Sequence, residues 1–222
     1  MTGSQQHPSI HWLTPRAPLG RIIGLSALIL FLFMTWLVFI DRYTLFDENI
    51  FSSLGANRKE GLTKFMRCLT WLGNTSFLII ANCLLVIFFV LRKEKWTYIR
   101  VAAVALSSVG LMSLLKRVFH RQRPEGPLIE GITNFSFPSG HAFMSIAFYG
   151  LLICWALSAI KKSSHRFIVV SLLLLLVILI GFSRVYLRMH YATDVLAGWG
   201  MSTAWLIISL SVMDRIQQRY ER

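Results

Sequence analysis

The sequence has few charged residues and very few acidic ones, and these shortages exclude several classes of protein. Only 15% of its 222 residues are charged, and Asp plus Glu number 10 against 23 Lys plus Arg. With 55% hydrophobic residues, the chain is too apolar to stay disordered, and three cysteines are too few for a disulfide scaffold. A very apolar chain with a net charge of +13 indicates an integral membrane protein.

Long runs without charge predict an all-α polytopic protein with six transmembrane helices in a bundle. The basic residues interrupt these runs and do not form a solvated stripe, so no nucleic-acid partner is expected. The predicted spans are 22–40, 68–91, 101–115, 142–160, 167–183 and 195–213. Trp96 and Tyr98 extend the short third span, with Arg100 expected to snorkel to the interface. One domain, residues 21–213, is expected between a flexible polar tail (1–20) and a cytoplasmic tail (214–222).

The distribution of Lys and Arg gives a prediction of orientation. With six spans both termini share one side, which carries 12 basic and 3 acidic residues against 11 and 7 on the other side. The positive-inside rule therefore gives a small preference for cytoplasmic termini in a multi-pass protein of the plasma membrane. On the opposite side, Leu62, Phe65, Met66 and Leu69 have helical spacing. They predict a short amphipathic helix that either lies at the membrane interface or packs on the bundle.

Polar residues cluster where the third and fifth spans end and the fourth and sixth begin. In an up-and-down bundle these four helix ends share one membrane face, so topology alone brings their side chains together. These side chains are Lys116, Arg123, Ser139, His141, Arg184, His190 and Asp194. The three cations among them form a strong anion site, because arginine forks match phosphate oxygens. The Pro-Ser-Gly sequence before His141 suits a helix start, whose free N–H groups and dipole attract phosphate.

The histidines and the aspartate of this set add reactive groups to the anion site. Two histidines can supply a nucleophile or base and an acid near neutral pH. Asp194 lies four residues after His190, so in a helix the carboxylate would share a face with the imidazole and fix its tautomer. No cluster has metal-ligand spacing. The pattern therefore predicts phosphoryl transfer that uses no metal and no other cofactor.

Neighbouring charged residues have a plainer interpretation. Two interpretations stay open for Arg117, Arg121 and Arg188, which are either interfacial anchors or parts of the site. Asp47 is expected to be a solvated loop charge. A different class of function also stays open, in which a transporter or lipid-binding protein uses the cations only to hold an anion. That alternative gives no reason for the pairing of His190 with Asp194.

Three segments of the chain resemble the motifs of the type 2 phosphatidic acid phosphatase family. They are Lys116 with Arg123-Pro124 after a gap of six residues, Pro138-Ser139-Gly140-His141, and Ser183-Arg184 with His190 and Asp194. The resemblance covers roughly residues 20–213. It implies that His190 attacks phosphorus, that His141 protonates the leaving oxygen and that Asp194 orients His190. It also implies that the phosphoryl oxygens are held by Lys116, Arg123, Ser139, the Gly140 amide and Arg184.

The same resemblance implies a class of substrate. Bacterial members of the family act on undecaprenyl diphosphate, phosphatidylglycerophosphate or phosphatidic acid. We therefore expect a metal-independent hydrolase of a lipid phosphate or diphosphate, with its site on the outer face of the membrane and a phosphohistidine intermediate. A lipid phosphotransferase with the same intermediate is the alternative. The particular lipid and the oligomeric state stay open.

Overall fold

A computed structural model of the protein describes residues 18–56, 58–129, 131 and 134–222. Five helices in these ranges are long and apolar enough to cross a membrane, and a bent pair adds a sixth if it counts as one span. The helices are α1 (Pro18–Phe39), α2 (Leu45–Ala56), α3 (Glu60–Trp71), α4 (Thr75–Leu91), α5 (Lys95–Val118), α6 (Gly140–Ala159), α7 (Ser163–Tyr186) and α8 (Ala192–Tyr220). The predicted all-α polytopic fold is confirmed.

The predicted second span, 68–91, is wrong as a single continuous helix. It contains the end of α3 and all of α4, which meet at an angle of 43°. The Asn74 side chain accepts a hydrogen bond from the Ser76 N–H at 2.9 Å and so caps the start of α4. Gly73 packs so closely on α7 that a Cβ there would lie 2.6 Å from Ile180. Neither residue is charged, so a search for uncharged runs could not detect this break.

The amphipathic pattern at Leu62, Phe65, Met66 and Leu69 lies within α3, which packs against α7. Met66 and Leu69 are buried in a cluster with Leu187 and neighbouring side chains. Leu62 and Phe65 are exposed, on a different part of the same helix. One apolar stripe of α3 therefore packs on the bundle, and a second apolar edge faces outward.

The predicted chain ends differ from the structure. Residues 1–17 of the predicted tail lie outside the described residues, but α1 begins at Pro18, so residues 18–20 are helical. Proline suits a first helical position because its fixed φ matches the helix. The predicted C-terminal tail from residue 214 is mostly helical, since α8 continues to Tyr220. This extension brings Asp214 beside Arg100 at 2.7 Å. Arg100 is therefore buried in an ion pair and does not snorkel to the interface.

α8 lies at the centre of the bundle and packs against α1, α5, α6 and α7. Its approach to α6 depends on Gly198, where a Cβ would lie 2.8 Å from the Ser139 carbonyl oxygen. The Ser139 N–H donates to the Asp194 carbonyl oxygen at 2.9 Å, which joins the starts of α6 and α8. The ends of α5 and α7 lie at the same level, because the segments that follow them contact Asp194 and its neighbours.

Candidate active site

His190 lies in the short turn between α7 and α8 and is only 2% exposed. The turn folds back on the end of α7, since the Met189 and His190 N–H groups both donate to the Arg184 carbonyl oxygen. Arg188 takes a left-handed conformation in this turn, with φ of 52°. The chain thereby reverses within a few residues and places the imidazole in the interior, between two helix ends.

Asp194 lies in the first turn of α8 and is fully buried. One carboxylate oxygen, Oδ2, accepts the Tyr191 N–H at 3.0 Å and the Ser136 hydroxyl at 2.5 Å. His190 Nδ1 is 3.6 Å from this oxygen and 3.3 Å from Ser136 Oγ. Because α8 begins only at Ala192, His190 and Asp194 are not on one helical face. The carboxylate instead reaches back past the helix start, with Ser136 beside the contact.

The contacts of His190 determine which ring nitrogen carries the proton. Arg123 Nη1 lies 3.3 Å from His190 Nε2, and a guanidinium can only donate, so Nε2 is the acceptor. The proton of the neutral ring is thus assigned to Nδ1, which faces Ser136. Burial lowers the pKa of His190 from 6.5 to about 4, although Asp194 opposes this shift. At neutral pH the ring is uncharged, with the Nε2 lone pair directed at the arginine.

Arg123 and Lys116 border the same space and are held by the segment before α6. The Arg123 guanidinium donates to the Asn134 backbone and side-chain oxygens and to the Met189 carbonyl. Lys116 Nζ donates to the Phe135 carbonyl at 2.7 Å. Each of these acceptors is neutral, so neither cation forms an ion pair with a carboxylate within the described residues.

Arg184 enters the site from α7 and is nearly fully buried. Its Nη1 donates to the Thr70 hydroxyl of α3 at 2.9 Å. Its Nε has no hydrogen-bond partner within the described part of the chain. A buried guanidinium without a carboxylate partner is costly, and an anion entering the site would offset that cost.

The start of α6 contributes Ser139, Gly140 and His141. The Ser139 hydroxyl caps the helix by accepting the Ala142 N–H at 3.5 Å. A Cβ on Gly140 would lie 3.8 Å from Lys116 Cε, so the lysine stem runs along this backbone. The His141 ring lies beside the α3–α4 break, with Cδ2 3.2 Å from the position of a Cβ on Gly73. His141 is within electrostatic range of His190 and of all three cations.

The sequence analysis left Arg121 open and assigned no role in the site to Ser136, Thr70 or Asp47. Ser136 contacts His190 and Asp194, Thr70 holds Arg184, and Arg121 bridges Asp194 and Asp47. The prediction that Asp47 is a solvated loop charge is wrong, because it is buried against the start of α8. Of the three arginines left open, Arg121 lies in the site, Arg117 is exposed, and Arg188 stacks on Phe51 at 5.0 Å.

Only Arg121 had a usable signal in the sequence, since it stands between Lys116 and Arg123 in one basic segment. Asp47 and Thr70 are distant in sequence, and nothing local links them to the site. Within the described residues, no three His, Cys, Asp or Glu side chains converge as metal ligands do. The site instead places a neutral imidazole among three buried or half-buried cations, an arrangement that suits a tetrahedral oxyanion such as a phosphoryl group.

This fold and this site define a multi-pass membrane protein with a histidine-containing anion site at one end of its bundle. Residues 97–218 match the profile of the PAP2 superfamily. The chain is 28% identical to phosphatidylglycerophosphatase B of Bacillus subtilis (strain 168), over 79% of this chain and 87% of the relative. It is 27% identical to an undecaprenyl-diphosphatase of Sulfolobus acidocaldarius, over 75% and 78% of the two chains.

A solved structure supports the same relationship. The crystal structure described as the first transmembrane PAP2 type phosphatidylglycerolphosphate phosphatase from Bacillus subtilis superposes with a TM-score of 0.77 at 25% identity. The superposition covers 87% of this chain and 96% of that one. The matched segment spans more than half of the chain and includes every predicted site residue. The chain belongs to the PAP2 superfamily and is an enzyme of its membrane phosphatase branch.

Proposed function

We propose that this enzyme hydrolyses a phosphate monoester or diphosphate on a lipid through a phosphohistidine intermediate on His190. The observation that carries the proposal is the contact of the buried imidazole with a cation, in which His190 Nε2 lies 3.3 Å from Arg123 Nη1. A phosphoryl oxygen that accepts hydrogen bonds from the Arg123 guanidinium would bring phosphorus within reach of His190 Nε2. Ser136 and Asp194 behind Nδ1 would stabilise the positive charge that the ring acquires as it attacks.

The proposed reaction has two steps. His190 Nε2 bonds to phosphorus while the bond to the leaving oxygen breaks, and protonated His141 donates its proton to that oxygen. Water then attacks the phosphorus of the phosphohistidine and gives a proton to His141. The N–P bond breaks in the same step, and its electron pair returns to His190 Nε2. Lys116, Arg123, Arg184 and the start of α6 would hold the phosphoryl oxygens in both steps. These groups supply the charge stabilisation directly, so no metal is needed.

We propose undecaprenyl diphosphate as the substrate, or a broader set of lipid phosphates including phosphatidylglycerophosphate and phosphatidic acid. Two similarities support this proposal, because the bacterial relative is a phosphatidylglycerophosphatase and the archaeal one an undecaprenyl-diphosphatase. Both substrates place a phosphate headgroup at the membrane surface and apolar chains in the bilayer. A site at one end of a helix bundle suits such amphiphiles.

The test is phosphate release by the purified protein from a panel of lipid monophosphates and diphosphates in EDTA. We expect turnover by the wild type, none by His190→Ala, and near wild-type turnover by Arg117→Gln, which removes an exposed cation from the same end. EDTA-resistant turnover by His190→Ala at the wild-type rate would overturn the mechanism. Mass spectrometry of the lipid products separates release to water from transfer to a lipid alcohol.

We also propose cytoplasmic termini and a site on the outer face. With Lys116, Arg123 and Arg184 assigned to phosphate binding, 8 basic residues remain on the site side against 12 on the terminal side. Single cysteines at Glu125 and Arg222, in a variant with the native cysteines replaced by serine, would report the orientation. A membrane-impermeant maleimide should label the first and not the second in intact cells.

A further inference from the structure

Arg121 bridges two buried carboxylates from different helices. Its Nη1 is 2.6 Å from Asp194 Oδ1, and its Nη2 is 3.0 Å from Asp47 Oδ2. The Arg121 side chain is 14% exposed, and the two aspartate side chains are 1% and 0% exposed. Two negative charges therefore compensate this guanidinium, whereas the acceptors that Arg123 bonds among the described residues are neutral. Arg121 is thus poorly suited to bind a phosphoryl oxygen.

Asp47 brings the short helix α2 into this contact. Its Oδ1 accepts the Thr193 N–H at 3.0 Å, and its Oδ2 accepts the Thr193 hydroxyl at 2.7 Å. The first N–H groups of a helix have no partner inside the helix, so Asp47 caps α8 from outside. Arg121 Nη1 also donates to the Thr193 hydroxyl at 2.7 Å. α2, the segment after α5 and the start of α8 are thereby joined around one guanidinium.

The plane of the guanidinium is fixed as well as its two ends. Arg121 Cζ lies 3.9 Å from the centre of the Tyr191 ring, close enough for a cation–π contact. With Oδ1 held by Arg121, the carboxylate of Asp194 cannot rotate, and Oδ2 stays directed at Ser136 and the Tyr191 N–H. A planar guanidinium group that is held at both ends and on one face fixes the orientation of the carboxylate that it binds.

We infer that Arg121, braced by Asp47 of α2, is a positioning residue that fixes Asp194 and, through Ser136, the imidazole of His190. This inference rests on the proposed function of His190. It extends the site beyond the helices that carry the predicted residues, because α2 becomes part of the machinery that orients the nucleophile. A shift of about 1 Å in a reacting group can cost about 100-fold in rate, so a buried support of this kind is functionally important.

The test compares Arg121→Gln, Arg121→Lys and Asp47→Asn with two controls. Arg117→Gln removes an exposed arginine at the same end, and Arg100→Gln removes a buried, ion-paired arginine at the other end. Turnover on a short-chain lipid phosphate is measured per mole of folded protein, together with KM and the single-turnover rate of phosphohistidine formation. We expect Arg121→Gln to lower kcat and the phosphorylation rate about 100-fold, with KM within about threefold.

The other variants separate positioning from simple structural support. Arg121→Lys should recover part of the rate, since an ammonium keeps the charge but cannot bridge both carboxylates. Asp47→Asn should lower kcat by about fivefold, a weaker effect because Arg121 still bonds Asp194 directly. Arg100→Gln should lower the melting temperature without changing kcat per mole of folded protein, as a purely structural residue does.

Three results would overturn the inference. They are wild-type kcat for folded Arg121→Gln, a KM defect at unchanged kcat, and equal losses of kcat in Arg121→Gln and Arg100→Gln. If Arg121→Gln does not fold, Asp47→Asn carries the test, and an unchanged phosphorylation rate in that variant contradicts the inference. Failure of the proposed function is separate, since it would appear as a wild type no more active than His190→Ala.

Discussion

Near each end of α8, an aspartate of this helix forms a buried ion pair with an arginine from another segment. The two pairs differ in how many hydrogen bonds the carboxylate accepts. At the site end, Asp194 uses both oxygens, one with Arg121 and the other with Ser136 and the Tyr191 N–H. At the far end, Asp214 Oδ1 pairs with Arg100 at 2.7 Å, while its Oδ2 has no partner among the described residues. The aspartates are ~30 Å apart along the helix, about the thickness of the hydrocarbon core.

This difference separates two uses of the same ion pair. A single contact, as at Asp214, holds α5 against α8 but leaves one carboxylate oxygen without a hydrogen bond from the described residues. Three donors on one carboxylate, as at Asp194, determine its orientation, and orientation is what a neighbouring histidine needs for catalysis. Buried ion pairs are weak evidence for stability by themselves, so the number and direction of the bonds are more informative than the presence of a pair.

The largest expected effect is the loss of the site-end carboxylate charge. Asp194→Asn keeps the shape of the side chain but can no longer stabilise a charged imidazole, so we expect turnover to fall about 10⁴-fold. The measurement is kcat for phosphate release per mole of folded protein, with Asp214→Asn as the matched variant. A loss below about tenfold in Asp194→Asn would contradict the role proposed for this carboxylate.

The far-end pair should give the opposite result. Asp214→Asn leaves the buried Arg100 without a charged partner, which we expect to lower the free energy of unfolding by about 3 kcal/mol. Turnover per mole of folded protein should stay within about twofold of wild type, because the site is one bilayer thickness away. Thermal unfolding in detergent and the turnover assay measure the two quantities. A large loss of kcat in folded Asp214→Asn would show that the two ends are coupled.

A smaller effect is expected from the serine between Asp194 and His190. Ser136→Ala removes the hydroxyl but leaves His190 Nδ1 3.6 Å from the carboxylate, close enough for a direct bond after a small shift. One hydrogen bond to a charged group is worth about 1.5–3 kcal/mol, so we expect kcat to fall about 10- to 100-fold. Ser183→Ala is the control, since within the described part of the chain that buried hydroxyl donates to the Ile180 carbonyl and not to a site residue. Equal kcat in both alanine variants would exclude a relay through Ser136.

The smallest expected effect concerns pH. Burial lowers the pKa of His190 from 6.5 to about 4, so folding favours the neutral ring. Its contribution to stability is complete above pH 6.5 and is lost progressively as pH falls toward 4. NMR of labelled imidazole, assigned with His190→Asn, should show this histidine neutral at pH 5. The melting temperature of the wild type should also fall more steeply with acid than that of His190→Asn. A midpoint at pH 6.5 or above would contradict the assignment.

Local sequence patterns were sufficient to predict most of the architecture. Membrane helices need long uncharged runs, so five spans and the order of their ends could be read directly from the sequence. The order of the helix ends then predicted that His190 lies at the same end of the bundle as Lys116, Arg123 and Arg184. The same approach failed at residues 72–74, where a capping asparagine and a packed glycine end α3 without any charge. It also failed at Arg100, because its partner Asp214 is distant in sequence.

The class of protein, the helix order and the set of cations and histidines at one end follow from hydrophobic run length and local motifs, so they could be predicted without coordinates. Which of the cations are paired with carboxylates depends instead on contacts between distant parts of the chain. Arg121 and Arg123 are two residues apart in one basic segment, yet the first is bound by two carboxylates and the second bonds neutral oxygens. That distinction depends on Asp47, which a separate helix brings to the start of α8, and no local pattern encodes such a contact.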